Sequence, residues 1–157
     1  MTERRSTNGV VLDEVSKRII AELQVDGRRS YAAIGKAVGL SEAAVRQRVQ
    51  KLTDAGVMQV VAVTDPLELG FARQAMVGIG VDGDVFAVTD ALAVIPELDY
   101  LVITTGRFDV LAEIVCESDD DLLDVITSKI RSIPEVTHTE TFVYLRLRKQ
   151  TYAWGVQ

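Results

Sequence analysis

Residues 39–52 read GLSEAAVRQRVQKL, which is the pattern of the second half of a helix-turn-helix. The first two residues form a turn, and the Ser41 hydroxyl then caps a helix by accepting a bond from an N–H of the first helical turn. Apolar side chains recur at helical spacing and line one face of that helix, namely Val45, Val49 and Leu52. The stretch therefore predicts a tight turn followed by an amphipathic helix.

The opposite face of this helix is polar. Arginine forms bidentate contacts with guanine in a major groove, and glutamine does so with adenine. The exposed stripe consists of Glu42, Ala43, Arg46, Gln47 and Gln50. The stripe therefore predicts contacts with base edges in a major groove. The alternative interpretation is a solvated amphipathic helix with a good cap, and the surrounding chain favours the contact with DNA.

Two shorter helical patterns precede this stretch. The first is predicted from about residue 12 or 13 to residue 24, and Gly27 stops it. The second runs from Tyr31 to Val38 with Ser30 as its cap, and Gly39 stands where a helix ends in a left-handed residue. Three short helices with a glycine turn before the third form the layout of a helix-turn-helix domain.

The formal charge divides near residue 60. The whole chain carries −6, but residues 1–60 hold ten basic and seven acidic side chains, giving +3, and residues 61–157 give −9. Attraction to the phosphates of double-stranded DNA would act on the first part, while the acidic remainder would be held away. A cationic surface this modest predicts that two or more copies act together.

The composition also indicates the cellular compartment in which the protein is expected. Residues 1–9 are expected to form a mobile arm, including Arg4 and Arg5, and no apolar stretch follows them as in a secretory signal. No apolar run approaches the roughly 18 residues that span a bilayer. A single cysteine, Cys116, cannot form an internal disulfide and is expected to be buried and inert. We therefore expect a cytoplasmic, nucleoid-associated protein with no membrane partner.

Residues 57–64, VMQVVAVT, are rich in β-branched side chains and predict a strand, which Asp65 and Pro66 end. We place the domain boundary at this point. The expected organisation is a helix-turn-helix domain over residues 1–64, a linker over residues 65–71 and a second domain over residues 72–157.

The second domain contains an internal repeat, because VIPEL at residues 94–98 is echoed by SIPEV at residues 132–136. The predicted elements are strand 72–81, helix 85–94, strand 98–105, strand 110–116, helix 119–132 and strand 136–148. This is the ferredoxin-like βαββαβ arrangement, so the fold class is α+β. Strands such as QAMVGIGV are apolar on both faces, and the face without helices needs a partner. We predict a homodimer formed by sheet-on-sheet packing.

Taken together, these features resemble the Lrp/AsnC family of bacterial and archaeal transcription regulators over about residues 12–148. The N-terminal resemblance rests on LDEVSKRIIAELQVDGRRSYAAIGKAVGLSEAAVRQRVQKLTDAGVM, and the C-terminal one on GRFDV at residues 106–110 and on TETFVYL. The resemblance implies a winged-type DNA-binding domain and a ferredoxin-like domain that dimerises and binds a small amino acid. It also implies that dimers assemble into tetramers or octamers.

The resemblance implies roles for residues of the first domain. The positions that would face bases are Ser41, Glu42, Ala43, Arg46 and Gln47. Arg48 matches an arginine of the family, and it either contacts phosphate or braces the first helix through Asp13 or Glu14. The candidates for phosphate contacts are Arg28, Arg29 and Lys51, with ordinary solvated charge as the alternative.

The family's effector pocket lies around the turn between the second and third strands of the second domain, at an interface between dimers. The corresponding residues are Ile103, Thr104, Thr105, Gly106, Arg107, Phe108 and Asp109, with Thr139, Glu140 and Thr141 nearby. Arg107 is the expected partner of the effector's carboxylate, and Asp109 or Glu140 that of its ammonium group. Many relatives carry an acidic residue in place of Arg107, so the identity of the effector stays open. A glycine hairpin with ordinary turn charges is the alternative.

No catalytic site, metal site or cofactor is expected. The acidic run that follows Ser118 is explained as a capped helix start, and His138 is the only histidine available to zinc. Two other functions remain as alternatives. One is an architectural protein that wraps DNA with little sequence preference, and the other is an enzyme like the siroheme decarboxylases, which resemble this family in fold.

Overall fold

The computed structural model describes residues 12–156, so the arm expected over residues 1–9, with Arg4 and Arg5, lies outside the described residues. The described chain forms two compact units, one from residues 12–63 with 149–156 and the other from residues 64–148. The tail after residue 148 therefore groups with the first unit, whereas we expected it in the second domain. Within the first unit, the Gln24 side-chain Nε2 lies 3.5 Å from the Gly155 carbonyl oxygen.

The first unit contains three helices: α1 (Glu14–Val25), α2 (Tyr31–Val38) and α3 (Glu42–Asp54). Each begins at a side-chain cap. The Ser30 and Ser41 hydroxyls and the Asp13 carboxylate each accept a bond from the N–H three residues on. Gly39 ends α2 at φ 78°, the left-handed conformation expected of it. The buried core of the three helices consists of Ile19, Ile34, Val38, Val45 and Val49.

The strand predicted over residues 57–64 is wrong, because this segment forms no strand in the structure. Val60, Val61 and Val63 are exposed. A β-branched sequence favours extended backbone, but a strand also needs a neighbour to hydrogen-bond with. Among the described residues none pairs with this segment.

The second unit starts with a short 3-10 turn, Leu67–Leu69, and then has the predicted βαββαβ order. Its elements are β1 (Arg73–Val81), α4 (Val85–Leu92), β2 (Leu98–Ile103), β3 (Val110–Cys116), α5 (Asp119–Asp124) and β4 (Val136–Val143). The helix predicted to Ser132 is α-helical only to Asp124, and it continues as a wider π-helix over Val125–Ile130. β4 ends at Val143, five residues earlier than expected.

The four strands form one antiparallel sheet in the order β2-β3-β1-β4. The helices cover one face, over a core that includes Val77, Ile79, Ala112 and Ile114. On the other face Met76 of β1 stands opposite Glu113 and Phe142. We call this second surface the open face. Within the described residues, no helix is both long and apolar enough to cross a membrane.

Candidate functional site

The turn between α2 and α3 is closed by a glycine inside α2. The backbone N–H groups of Gly39 and Leu40 both donate to the carbonyl oxygen of Gly35, at 2.8 and 2.9 Å. A Cβ on Gly35 would lie 2.5 Å from the Leu40 carbonyl oxygen, so only glycine permits this approach. Sequence reasoning did not single out Gly35, although a glycine four residues before the turn glycine was a usable signal.

The polar face of α3 is exposed, as the sequence predicted, from Ser41 through Lys51. Arg46 is ordered on this face by two contacts. Its Nη2 lies 2.9 Å from Glu42 Oε1, and its guanidinium carbon lies 5.1 Å from the centroid of the Tyr31 ring. Gln47 follows it on the same surface, so the face presents side-chain donors and acceptors of the kinds that can pair with base edges.

Arg48 points away from this surface and contacts the start of α1. Its Nη1 donates to both carboxylate oxygens of Asp13, at 2.9 and 2.7 Å, and to Ser16 Oγ at 3.0 Å. Hydrogen bonds from the side chain and backbone of Ser16, together with Arg48, lower the pKa of Asp13 to about 2. Of the two roles considered for Arg48, these contacts correspond to the brace.

The remaining cations around α3 differ in their surroundings. Arg29 forms an ion pair with Glu22, while Arg28 and Lys51 are exposed. Gln50, which we placed on the exposed stripe, donates from Nε2 to Asp54 Oδ1 at 2.7 Å. Arg28 and Lys51 are therefore the better placed of these residues to meet a phosphate.

In the second unit, the turn between β2 and β3 is fixed by hydrogen bonds around Thr104 and Asp109. The Thr104 N–H donates to the Asp109 carbonyl at 2.8 Å, and its hydroxyl donates to the Phe108 carbonyl at 2.7 Å. The Asp109 N–H donates to the Ile79 carbonyl, and its Oδ2 accepts from the Val81 N–H at 2.8 Å. One oxygen of Asp109 is thus already occupied by the backbone of β1.

Arg107 and Glu140 form an ion pair across the open face, with Nη2 and Oε2 3.0 Å apart. The side chains are 78 % and 40 % exposed, so solvent reaches both. The Arg107 guanidinium also lies 5.5 Å from the centroid of the Phe108 ring. These are the residues that we expected to receive a carboxylate and an ammonium group.

The structure does not bring all the expected effector residues together. Thr139 and Thr141 stand opposite Ile79 and Val77, on the face that the helices cover. Glu140, between them, stands opposite Gly78 on the open face. Both threonines therefore lie on the opposite side of the sheet from Glu140, because successive side chains of a strand point to opposite faces. Ile103, Thr105 and Gly106 are exposed at the turn.

An aromatic cluster on the open face was missed by sequence reasoning. The Phe108 ring lies 5.9 Å from the His138 ring and 6.3 Å from the Phe142 ring, between centroids. A Cβ on Gly78 would lie 2.5 Å from Phe108, and one on Gly80 would lie 2.0 Å from His138. The alternating glycines of β1 were the available signal, since glycine in a strand often marks a close approach.

No cluster of metal-ligating side chains is found in the part of the chain that the structure describes. Cys116 is buried, and burial raises the pKa of its thiol. Its surroundings are the apolar core of the second unit. The candidate sites are therefore the polar face of α3 and the open-face ion pair.

Comparison with protein families gives two matches, one over the three helices and one over the second unit together with the tail. An AsnC-type helix-turn-helix domain matches residues 12–53, and an AsnC-type C-terminal dimeric alpha+beta barrel domain matches residues 71–157. The HTH-type transcriptional regulator FL11 of Pyrococcus horikoshii is 34 % identical over 144 residues, covering 90 % of this chain and 95 % of that protein.

Solved structures give the same likeness over both units. The structure of Escherichia coli AsnC has a TM-score of 0.75 and 26 % identity, and the match covers 91 % of this chain and 98 % of that one. A transcriptional regulator of Neisseria meningitidis, solved as a complex with L-Met, has a TM-score of 0.74 and 22 % identity, with 91 % and 96 % covered. At that identity the second likeness shows the fold alone.

Proposed function

The chain belongs to the AsnC family of DNA-binding transcriptional regulators, and we propose that it is a sequence-specific regulator whose DNA binding or oligomeric state responds to a small amino acid. The main support for this proposal is the capped and exposed third helix of a domain that matches the AsnC-type helix-turn-helix. In such domains the third helix enters the major groove and its N-terminal residues contact base edges.

The base-reading residues in this proposal are Ala43, Arg46 and Gln47, with Ser41 and Glu42 at the start of the helix. Arginine supplies two donors for the O6 and N7 atoms of guanine, and glutamine pairs with the N6 and N7 atoms of adenine. Arg28 and Lys51 are the phosphate contacts, because both are exposed cations in the same unit. Arg48 supports binding indirectly, by holding α3 against α1 through Asp13.

The dimer in this proposal packs the apolar part of the open face, which includes Phe142 and Tyr100, against the same part of a second copy. Phe142 and Tyr100 on the outer strands of this face are 46 % and 52 % exposed, a large apolar contribution for a sheet surface. The dimeric description of the matched family domain supports this pairing. Two copies would then present their recognition helices roughly 34 Å apart, about one turn of the double helix. Further assembly of dimers into tetramers or octamers is part of the proposal.

The amino-acid site in this proposal is the Arg107–Glu140 pair. A zwitterion has one group for each partner, so it replaces the surface ion pair with two charge-assisted contacts at little electrostatic cost. Phe108, beside Arg107, supplies an apolar surface for the effector's side chain. The L-Met complex of the Neisseria regulator supports a ligand of this class.

The test is a gel-shift titration with duplexes selected from a random pool by the purified protein, with and without each amino acid. Arg46→Ala is expected to lose preference for the selected duplex, while Arg131→Ala, an exposed arginine of the second unit, keeps it. Removing Arg28 or Lys51 should weaken binding to every duplex and reduce the salt slope by about one. A wild-type protein that binds all duplexes equally well would contradict a sequence-specific role.

A further inference from the structure

Tyr31 and Arg46 form a contact that neither the capping nor the core of the first unit requires. Tyr31 is the first residue of α2, and its ring packs partly on the helical core while its outer face meets the guanidinium of Arg46. The separation of 5.1 Å between the guanidinium carbon and the ring centroid is within the range of a cation–π contact. An exposed arginine is thereby held by a residue of a different helix.

Glu42 contacts the same guanidinium. Its Oε1 accepts from Arg46 Nη2 at 2.9 Å, one helical turn away on α3. The Arg46 side chain is 65 % exposed, so without these two neighbours its four rotatable bonds would sample many positions. Ordering such a side chain on binding costs conformational entropy, and a side chain ordered beforehand avoids part of that cost.

The contacts of Arg46 with Glu42 and with Tyr31 respond differently when Arg46 binds the edge of a base. The O6 and N7 atoms of guanine are acceptors, so they take the place of the Glu42 carboxylate at the hydrogen-bonding edge of the guanidinium. The guanidinium carbon lies over the Tyr31 ring, and a cation–π contact of this kind uses none of the N–H donors of the arginine. The contact with the ring is therefore compatible with base reading, whereas the ion pair is exchanged during it.

We infer that Tyr31 is a positioning residue for sequence reading: it orients the Arg46 guanidinium towards one guanine in each half-site, although it lies on α2 and touches no base itself. This inference rests on the proposed function, because it concerns the accuracy of the same recognition helix. A purely structural role for Tyr31 would affect binding to all duplexes alike.

The experiment compares Tyr31→Phe, Tyr31→Leu, Arg46→Ala and the double variant Tyr31→Leu/Arg46→Ala. For each, affinity is measured for a selected duplex, for that duplex with its Arg46-dependent guanine replaced, and for an unrelated duplex. Discrimination is the ratio of the first two affinities. Tyr31→Phe keeps the ring and should discriminate like the wild type, while Tyr31→Leu should lose about two- to fivefold. In the Arg46→Ala background the leucine should cause no further loss.

Three results would overturn the inference. The first is discrimination by Tyr31→Leu equal to that of the wild type, and the second is a loss in Tyr31→Phe as large as that in Tyr31→Leu. The third is an equal fall of all three affinities on introducing the leucine in both backgrounds. Thermal melts of each variant, and its affinity for the unrelated duplex, separate a folding defect from a reading defect. Failure of the proposed function would be seen in the wild type itself, which would then bind all three duplexes with the same affinity.

Discussion

Arg48 near the middle of α3 contacts both carboxylate oxygens of Asp13, the residue that caps α1. The same carboxylate accepts the backbone N–H of Ser16, so it serves as a helix cap and as an ion-pair partner at once. The contact joins residues 35 positions apart in the chain and fixes the recognition helix against the first helix.

Asp13→Asn should therefore destabilise the helical unit at neutral pH, and the effect should disappear in acid. The folded pKa of Asp13 is about 2, below its ordinary value of 3.8, so its charged form is favoured by folding above that ordinary value. As the pH falls from about 4 towards 2, this contribution is lost. Thermal melts of wild type and variant, followed by circular dichroism, should converge over that interval.

Glu14→Gln is the matched control for this experiment. Glu14 is the neighbouring carboxylate, and its ion pair with Lys17 is a surface pair with a largely exposed glutamate. Such pairs contribute little to stability, so the control should melt close to the wild type at each pH. A melting difference for Asp13→Asn that stayed constant down to pH 2 would contradict this account.

Gly35→Ala should destabilise the helix-turn-helix by about 1–3 kcal/mol, a typical cost of forcing extra volume into a packed site. The added Cβ would meet the Leu40 carbonyl oxygen at 2.5 Å, which is backbone and cannot rotate away. Gly27→Ala is the control, since its Cβ would meet nothing closer than 3.7 Å. Chemical denaturation of both variants gives the comparison, and equal stability of the two would refute the packing argument.

Phe142→Glu should yield a monomer if the open face is the dimer contact, because a carboxylate buried between two sheets would lack a partner. Phe86→Glu is the matched control, for Phe86 is 69 % exposed on α4, away from the open face. Size-exclusion chromatography with light scattering measures the mass of each variant. A dimeric Phe142→Glu protein, or a monomeric Phe86→Glu protein, would place the contact elsewhere.

Arg107→Gln and Glu140→Gln should each weaken binding of the amino-acid effector by about tenfold or more, the usual effect of removing one charged hydrogen-bond partner. Isothermal titration with the twenty amino acids identifies the ligand of the wild type first. Arg131→Gln, which removes an exposed positive charge elsewhere in the second unit, should bind normally. Unchanged affinity in both site variants would mean that any effector binds at another place.

Local features of this chain were predictable from sequence because their causes are local. Ser30 and Ser41 cap helices and Gly39 ends one, and each acts on residues within one turn of itself. The βαββαβ order followed from the repeated segment, whose two copies occupy the same place in each half. The apolar strands predicted a dimer, and the family resemblance added the expectation of an amino-acid effector.

Features that depend on distant partners were not predictable in the same way. The strand expected over residues 57–64 has suitable side chains but no neighbouring strand among the described residues. The placing of Thr139 and Thr141 required the register between β4 and β1, which shifts at Gly80 and Val81. The cation–π contact between Tyr31 and Arg46 joins two helices, and the sequence pattern of neither helix indicates it.

We expect a dimeric second domain to hold two recognition helices on one DNA site, and selection of bound duplexes from a random pool measures whether it does. The wild-type protein should enrich an inverted repeat with half-sites about one helical turn, roughly 10 base pairs, apart. The monomeric Phe142→Glu variant should lose that pairing and bind only weakly. Enrichment of no motif by the wild type, or of the same spaced repeat with equal affinity by a monomeric variant, would contradict the claim.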